Sequence, residues 1–279
     1  MNWKDYEREI FEQFQIRYPY ASIKHNQKVL GRISNIKRQI DVLIEDQSLD
    51  ASIRTIVDAK RRTSPIDIND IETFISMMVD VGAHRGILVS PVGYTKGAIT
   101  RAHNEVNQDI DLDVYSLEEL QLFQGQQAIP YSRDYGVLLS APFGWVVDAT
   151  KREGCLACLY QRGYDLNAAG NAKEWMYINF WIKETPEQCL EDLLKIQSDG
   201  WKNAKLSYLQ GVNRTDAKTF IRLAEVPDYP TPEYTGFVEF EEFIFFAVLF
   251  TPIENSKRNL RKLREVMRTV LPFNVGTNI

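Results

Sequence analysis

Hydrophobic and polar positions alternate with two different periods along this chain, and the changes of period mark its elements. Tyr6, Ile10, Phe11 and Phe14 recur at helical spacing, which predicts an amphipathic helix over residues 3–17, ended by Pro19. Residues 21–29 read as extended and 31–35 as a turn. Period two follows. In residues 39–45, Ile40, Val42 and Ile44 alternate with Asp41, Leu43 and Glu45. Residues 53–60 are rich in β-branched side chains, and Gln47, Ser48, Asp50 and Ser52 supply turn chemistry between the two strands. Helical spacing returns at Ile68, Ile71, Phe74, Ile75, Met78 and Val79, with Gly82 as a stop signal. Residues 86–90 form a short apolar strand, 94–104 a helix and 111–115 a last strand. A helix, three strands, a helix and a strand make an α/β core.

From Phe123 to Asp134 the chain carries Gly, Pro and polar residues without a period, which reads as a linker between domains at 1–122 and 135–279. Beyond it, strands are predicted at 135–141, 145–149, 155–161, 175–183, 206–210 and 218–224, with one long strand at 237–250. Two amphipathic helices accompany them. In residues 186–198, Cys189, Leu190, Leu193, Leu194 and Gln197 share one side. In residues 256–271, Leu260, Leu263, Met267, Val270 and Leu271 face inward. Lys257, Arg258, Arg261, Lys262, Arg264 and Arg268 lie opposite, as a solvated face, with a second nucleic-acid or partner contact as the alternative. This pattern is an α+β domain built on an antiparallel sheet.

Composition adds bounds. With 279 residues, 44% hydrophobic and 25% charged, the chain has room for two ordinary domains. Its longest apolar run, Phe243 to Phe250, falls short of the roughly 18 residues that suggest a membrane span. The polar, charged start carries no secretory signal, so a cytoplasmic protein without a membrane partner is expected. The three cysteines, Cys155, Cys158 and Cys189, do not suit a disulfide framework. Cys155 and Cys158 have zinc-ligand spacing but no second pair, and their apolar surroundings read as a strand with buried thiols. Among the histidines, His25 is expected near phosphate, and His84 and His103 as ordinary surface residues. No GxxxxGK[ST], GxSxG or HExxH motif occurs.

Candidate chemistry gathers on the predicted hairpin. Asp58 and Lys60, two apart on a strand, share a face, and pairing of the strands can set Asp41 opposite them. Two hard carboxylates suit Mg²⁺, which keeps several waters and takes one or two carboxylates plus substrate phosphate. Lys60 is then placed to position a water or to stabilise charge on a phosphorane. Ordinary charges on an exposed hairpin are the plainer alternative. Against it, Asp58 lies within the apolar run Thr55 to Ala59, where a carboxylate is costly unless paired or metal-bound. Although the net charge is −5, residues 13–40 contain no acid, and this window holds Arg17, Lys24, His25, Lys28, Arg32, Lys37 and Arg38 just before Asp41. Such a run suits a phosphate backbone.

Arg38-Gln39-Ile40-Asp41, followed by Ile56-Val57-Asp58-Ala59-Lys60, resembles the PD-(D/E)xK nuclease signature and, more narrowly, the Mrr-type restriction endonuclease catalytic domain. The likeness extends from Tyr6-Glu7 through Asp80-Val81-Gly82-Ala83, Gly86 to Ser90 and Gly93-Tyr94-Thr95 to Ala98 and Ala102; Ile40 stands in place of the proline. It implies a PD-(D/E)xK core at 1–122 and Mg²⁺-dependent hydrolysis of internal phosphodiester bonds in DNA, with Mn²⁺ as a substitute. Restriction or anti-phage defence is the implied role. Asp41, Asp58 and Lys60 would be catalytic. Asp41, Asp58, the Ala59 carbonyl and Glu7 would hold metal. Lys28, Arg32, Lys37, Arg38, Gln39, Arg61 and Arg62 would meet nucleic acid, and a homodimer would supply two cuts. The alternatives are a catalytically silent binding or scaffold protein, and the same site acting on RNA or branched DNA. The run Tyr135 to Trp145, the long strand and the closing helix resemble the PsbP-like fold, used mainly for binding or scaffolding. That implies recognition of an unknown trigger or partner by residues 135–279.

Overall fold

The computed structural model describes residues 3–17, 21–46, 53–60, 62–107, 109–116, 120, 126–150, 152–198, 203–227, 229 and 231–274. The chain divides into two compact units, Met1–Phe123 and Gln124–Ile279.

The first unit runs α1 (Trp3–Arg17), β1 (Ser22–Leu30), β2 (Lys37–Asp46), β3 (Ile53–Ala59), α2 (Ile68–Val81), β4 (Arg85–Ser90), α3 (Lys96–His103) and β5 (Asp111–Ser116). Its five strands lie in the order β1-β2-β3-β4-β5. The first three pair antiparallel, and β3–β4 and β4–β5 pair parallel. Parallel neighbours need crossovers, and α2 and α3 provide them. Tyr6, Ile10 and Phe14 of α1 are buried, and the helix contacts β1 and β3. Leu43, Ile56 and Leu88 form a second apolar layer with Phe74 and Met78 of α2 and Ala98 and Ala102 of α3. Each large side chain buried this way contributes about 1.5–3 kcal/mol.

Both ends of α2 are set by local chemistry. Asp67 and Asp70 form a capping box at the start. Gly82 closes the helix at φ 66°, a left-handed conformation open to glycine. The Arg32 guanidinium packs where a Cβ on Gly82 would lie.

One buried carboxylate ties the β1–β2 turn to this helix. Asp80 accepts hydrogen bonds from the Ile33 and Ser34 backbone N–H groups at 3.1 and 2.9 Å, and from the Ser34 hydroxyl at 2.7 Å. The Arg38 guanidinium donates to it at 2.7 Å. These donors hold its carboxyl well below the usual carboxylate range, the Ser34 N–H first among them.

The second unit carries a seven-stranded antiparallel sheet in the order β12-β13-β14-β15-β11-β10-β9. The strands are β9 (Trp145–Asp148), β10 (Ala157–Gln161), β11 (Trp175–Ile182), β12 (Lys205–Gln210), β13 (Lys218–Glu225), β14 (Glu233–Glu239) and β15 (Phe243–Phe250). The helices are α4 (Leu166–Ala172), α5 (Leu190–Ser198) and α6 (Ser256–Thr269). A smaller sheet pairs β8 (Tyr135–Ser140) with β6 (Gln127–Ala128), β7 (Tyr131–Ser132) and β16 (Leu271–Asn274). Leu263, Val266 and Met267 of α6 pack with Phe243, Phe245 and Leu249 in the main core.

Several expectations change here. The long strand expected at 237–250 is two strands, joined by a turn at Phe240, Glu241 and Glu242. The stretch expected as linker carries β6 and β7, both hydrogen-bonded to β8. The last helix stops at Thr269, and Leu271 is exposed at the start of β16. Two cations assigned to its solvated face are buried. Arg258 lies 3.5 Å from Glu174, and Lys262 donates to the Phe143 carbonyl at 2.7 Å. α4 has no signal in the sequence, because LNAAGNA carries no apolar stripe. Cys158 is buried on β10, with Cys155 in the turn before it, and both thiols are free.

Because Asp80 is ionised far more readily in the fold than in the unfolded chain, its stabilisation is present above about pH 4 and lost as pH falls further. Asp80→Asn should therefore lower the melting midpoint of the full chain at pH 7. The difference from wild type should shrink below pH 4, as thermal melts across pH would record.

Candidate active site

The hairpin register places the carboxylates. β2 and β3 pair Val42 with Val57 and Leu43 with Ile56, so one step further Asp41 faces Asp58. Directly opposed residues of an antiparallel pair project to one side of the sheet. The Ala59 N–H donates to Asp41 Oδ2 at 2.8 Å. Lys60 Nζ lies 2.7 Å from Asp58 Oδ2. The Lys60 backbone N–H donates to the Val89 carbonyl at 2.8 Å, which anchors the end of β3 on β4. Asp41, Asp58 and Lys60 thus come together as the sequence pattern suggested.

The electrostatics of this group are unusual. Burial pushes the Asp41 carboxyl from its ordinary 3.8 up to about 7. The Ala59 N–H opposes the rise, while the nearby charges of Asp58 and Glu7 add to it. A carboxyl of this kind holds its proton near neutral pH unless a cation displaces it.

Glu7 approaches from α1. Its Oε2 lies 4.0 Å from His25 Nε2, and the His25 ring sits 5.4 Å from that of Phe11. Trp3, Lys4, Glu7, Arg8, Phe11, His25, Asn26 and Gln39 line a recess of about 580 Å³. His25 is therefore beside a carboxylate of the candidate site, a pairing that 17 intervening residues hide from a linear reading. Among the described residues, no three His, Cys, Asp or Glu side chains gather closely enough to hold an ion. A closed three-ligand centre does not fit. A hydrated divalent ion held by Asp41 and Asp58, completed by water and a backbone carbonyl such as that of Ala59, does fit.

The cations expected to meet nucleic acid divide. Arg38 is engaged by Asp80, and Arg62 pairs with Asp70 at 2.5 Å. Arg32 packs against Gly82. Lys28 and Lys37 are exposed on β1 and β2, and Gln39 lines the recess beside Glu7. Arg61 lies outside the described residues. His84 accepts from the Arg54 N–H, and His103 is largely covered, 3.8 Å from the buried Asp113, so His103 is not the surface residue expected.

Residues 1–137 match the Mrr_cat family, whose description is restriction endonuclease. Over that segment the chain is similar to a nuclease domain of restriction type. Solved structures with similar segments include a protein of unknown function, AF1548, at 17% identity and a TM-score of 0.32, covering 41% of this chain and 64% of that one. Another is the cyanobacterial PsbP (CyanoP) of Synechocystis sp. PCC 6803, at 10% identity and 0.37, covering 55% and 96%. The MspJI restriction endonuclease in complex with a 27-mer oligonucleotide follows at 17% identity and 0.28, covering 42% and 27%. The chain thus spans less than two thirds of the AF1548 and MspJI chains. At these scores, none of the three speaks for the chemistry of this chain. No curated protein matches it.

Since the folded-state pKa of Asp41 lies above its unfolded value, the folded metal-free protein retains a proton that the unfolded chain releases between about pH 4 and pH 7. Stability falls as pH rises through that window and stays reduced above it. Asp41→Asn should then melt higher than wild type at pH 8 in EDTA, with a smaller advantage at pH 4. A variant that melts lower at pH 8 would contradict the buried-carboxylate reading.

Proposed function

We propose that the first unit is a divalent-metal-dependent endonuclease of the PD-(D/E)xK type that hydrolyses phosphodiester bonds in DNA. The observation that carries this is the cross-strand pair of Asp41 and Asp58, with Lys60 2.7 Å from Asp58. The restriction endonuclease match over residues 1–137 supports the same reading. Asp41, Asp58 and the Ala59 carbonyl would hold Mg²⁺, or Mn²⁺ in its place. When bound, such an ion supplies charge neutralisation at a phosphoryl oxygen and lowers the pKa of a coordinated water.

The chain's own residues have separate tasks. Ala59 N–H holds Asp41 Oδ2, which fixes one carboxylate oxygen and leaves the other to face a cation. Lys60 is kept beside Asp58 by their ion pair, so its ammonium is poised to orient the attacking water and to offset negative charge as the phosphorane forms. Glu7 and His25 line a recess from α1 and β1, and the Glu7 charge acts on Asp41. Lys28 and Lys37 would steer the phosphate backbone, with Gln39 nearer the scissile group. One such site cuts one strand, so a double-strand break calls for two, most simply in a C₂ dimer. Restriction or anti-phage defence is the biological setting this reading favours, with residues 135–279 governing where or when cutting occurs.

Supercoiled plasmid, single-stranded DNA and RNA incubated with the full chain and Mg²⁺, Mn²⁺ or EDTA test the proposal. Plasmid nicking that needs the metal is expected. Asp58→Ala and Lys60→Ala should each lower the rate by at least about 10²–10³-fold, with unchanged circular dichroism. Wild-type cleavage by either variant would refute the assignment, and cleavage of RNA alone would move the substrate class.

Every assigned catalytic residue precedes Phe123. A fragment of residues 1–125 should therefore retain metal-dependent nicking with altered selectivity. A folded but inactive fragment, rescued by residues 135–279 in trans, would place part of the site in the second unit.

A further inference from the structure

The second unit holds a recess of its own on the sheet. Tyr177, Gln197, Arg222, Glu233, Thr235, Phe246 and Val248 line it, with a volume of about 210 Å³. The register builds its floor. Arg222 pairs with Thr235, Thr235 with Val248, and Val248 with Tyr177, so four adjacent strands place these side chains in one row. Glu233 and Phe246 stand two residues from Thr235 and Val248 and project to the same face. Gln197 of α5 supplies a wall.

Charge decides what kind of molecule fits. Arg222 is buried, its guanidinium 5.4 Å from the Phe237 ring centroid. It donates to Gln197 Oε1 at 2.7 Å and to Thr235 Oγ1 at 3.2 Å, and it lies 3.7 Å from Glu233 Oε1. The guanidinium is thus the internal counter-charge of Glu233, and the lining is balanced rather than cationic. A phosphate or carboxylate ligand would meet Glu233 without a spare positive charge. A neutral ligand is favoured.

Hydrogen-bonding capacity narrows it further. Thr235 donates to Glu233 Oε1 at 3.2 Å, which leaves Oε2 as an acceptor. Gln197 has given its oxygen to Arg222, so its amide N–H groups are what it can offer. Burial, then the Glu233 charge, pushes the Tyr177 phenol up to about 12, so it remains a donor at neutral pH. One carboxylate acceptor flanked by neutral donors complements an amino group next to a ring nitrogen or carbonyl. A carboxylate accepting from the exocyclic amine of cytosine is a known base-reading pair. The volume lies below the roughly 300–1,000 Å³ of drug-sized sites, which limits the occupant to one small ring system.

Aromatic side chains continue from this floor. Phe250, the cross-strand partner of Glu233, stacks on Trp175 at 5.1 Å and lies 6.2 Å from Tyr177 and 6.3 Å from the exposed Tyr229. Such a group offers stacking surface beside the recess.

We propose that this recess binds a single unstacked nucleobase that carries an exocyclic amine, through Glu233, Tyr177 and Gln197. Uracil, which has no exocyclic amine, would turn a carbonyl oxygen toward Glu233 and be rejected. The site is separate from the cleavage chemistry and requires no metal.

The test is titration of the full-length protein, in EDTA, with cytidine, adenosine, uridine and guanosine, read by tryptophan fluorescence and by thermal shift. Cytidine, adenosine or guanosine should bind at least tenfold more tightly than uridine. Glu233→Gln should erase that preference, and Tyr177→Phe should weaken binding severalfold, both with circular dichroism matching wild type. If a variant does not fold, the discrimination among the four nucleosides by the wild-type protein decides. No response to any nucleoside at millimolar concentration, equal response to all four, or a preference unchanged in folded Glu233→Gln would overturn the proposal. Because no step involves cleavage, an inactive nuclease would leave this result intact, and the reverse also holds.

Discussion

Two carboxylates facing each other across an antiparallel strand pair are a destabilising arrangement, and the first unit is built around keeping one in place. Asp41 is the more buried problem, with a carboxyl raised to about 7 by its surroundings. Asp58 is relieved by Lys60, and Asp41 only partly by the Ala59 N–H. The rest of the unit holds the strands so that the pair cannot separate. β3 is fixed to β4 through the Lys60 backbone N–H, and the turn before β2 is fixed to α2 through Asp80. On the proposed function, a cation bound there would offset that cost and so couple folding to metal binding.

Much of this was legible in residues 37–60. Alternation in β2 and β-branched density in β3 announced the hairpin, and the Asp-x-Lys spacing put two functional groups on one side. What could not be read was which cations were available. Arg38 and Arg62 look like phosphate contacts in a linear scan, yet Asp80 and Asp70 claim them. Asp80 sits in an apolar helical stripe 42 residues from Arg38, and only the packing of α2 against the β1–β2 turn brings them together. The pairing of His25 with Glu7 depends likewise on how α1 lies over β1.

In the second unit, period two marked most strands, because antiparallel strands packed on a core advertise their inner face. The signal failed where both faces are apolar. From Phe243 to Phe250 six of eight residues are fully buried, so nothing in the pattern marked where β14 ended and β15 began. In sequence Arg258 and Lys262 look solvated, because charge is usually exposed. Glu174 and the Phe143 carbonyl, far away in sequence, make their burial tolerable. The recess around Arg222 and Glu233 was invisible for a related reason. On their own strands these residues look like outward-facing charges, and only the registers of β13, β14, β15 and β11 line them up.

On the proposed function, Asp41 and Asp58 form one cation site from which metal displaces a proton. Calorimetric titration of Mn²⁺ into the full chain at pH 7, in two buffers of different ionisation enthalpy, addresses it most directly. With the Asp41 carboxyl raised toward neutrality by burial, binding should release a fraction of a proton per ion, and Asp41→Asn should lose both the tight binding and the buffer dependence. Binding of undiminished affinity to Asp41→Asn, or wild-type binding with the same heat in both buffers, would contradict the account.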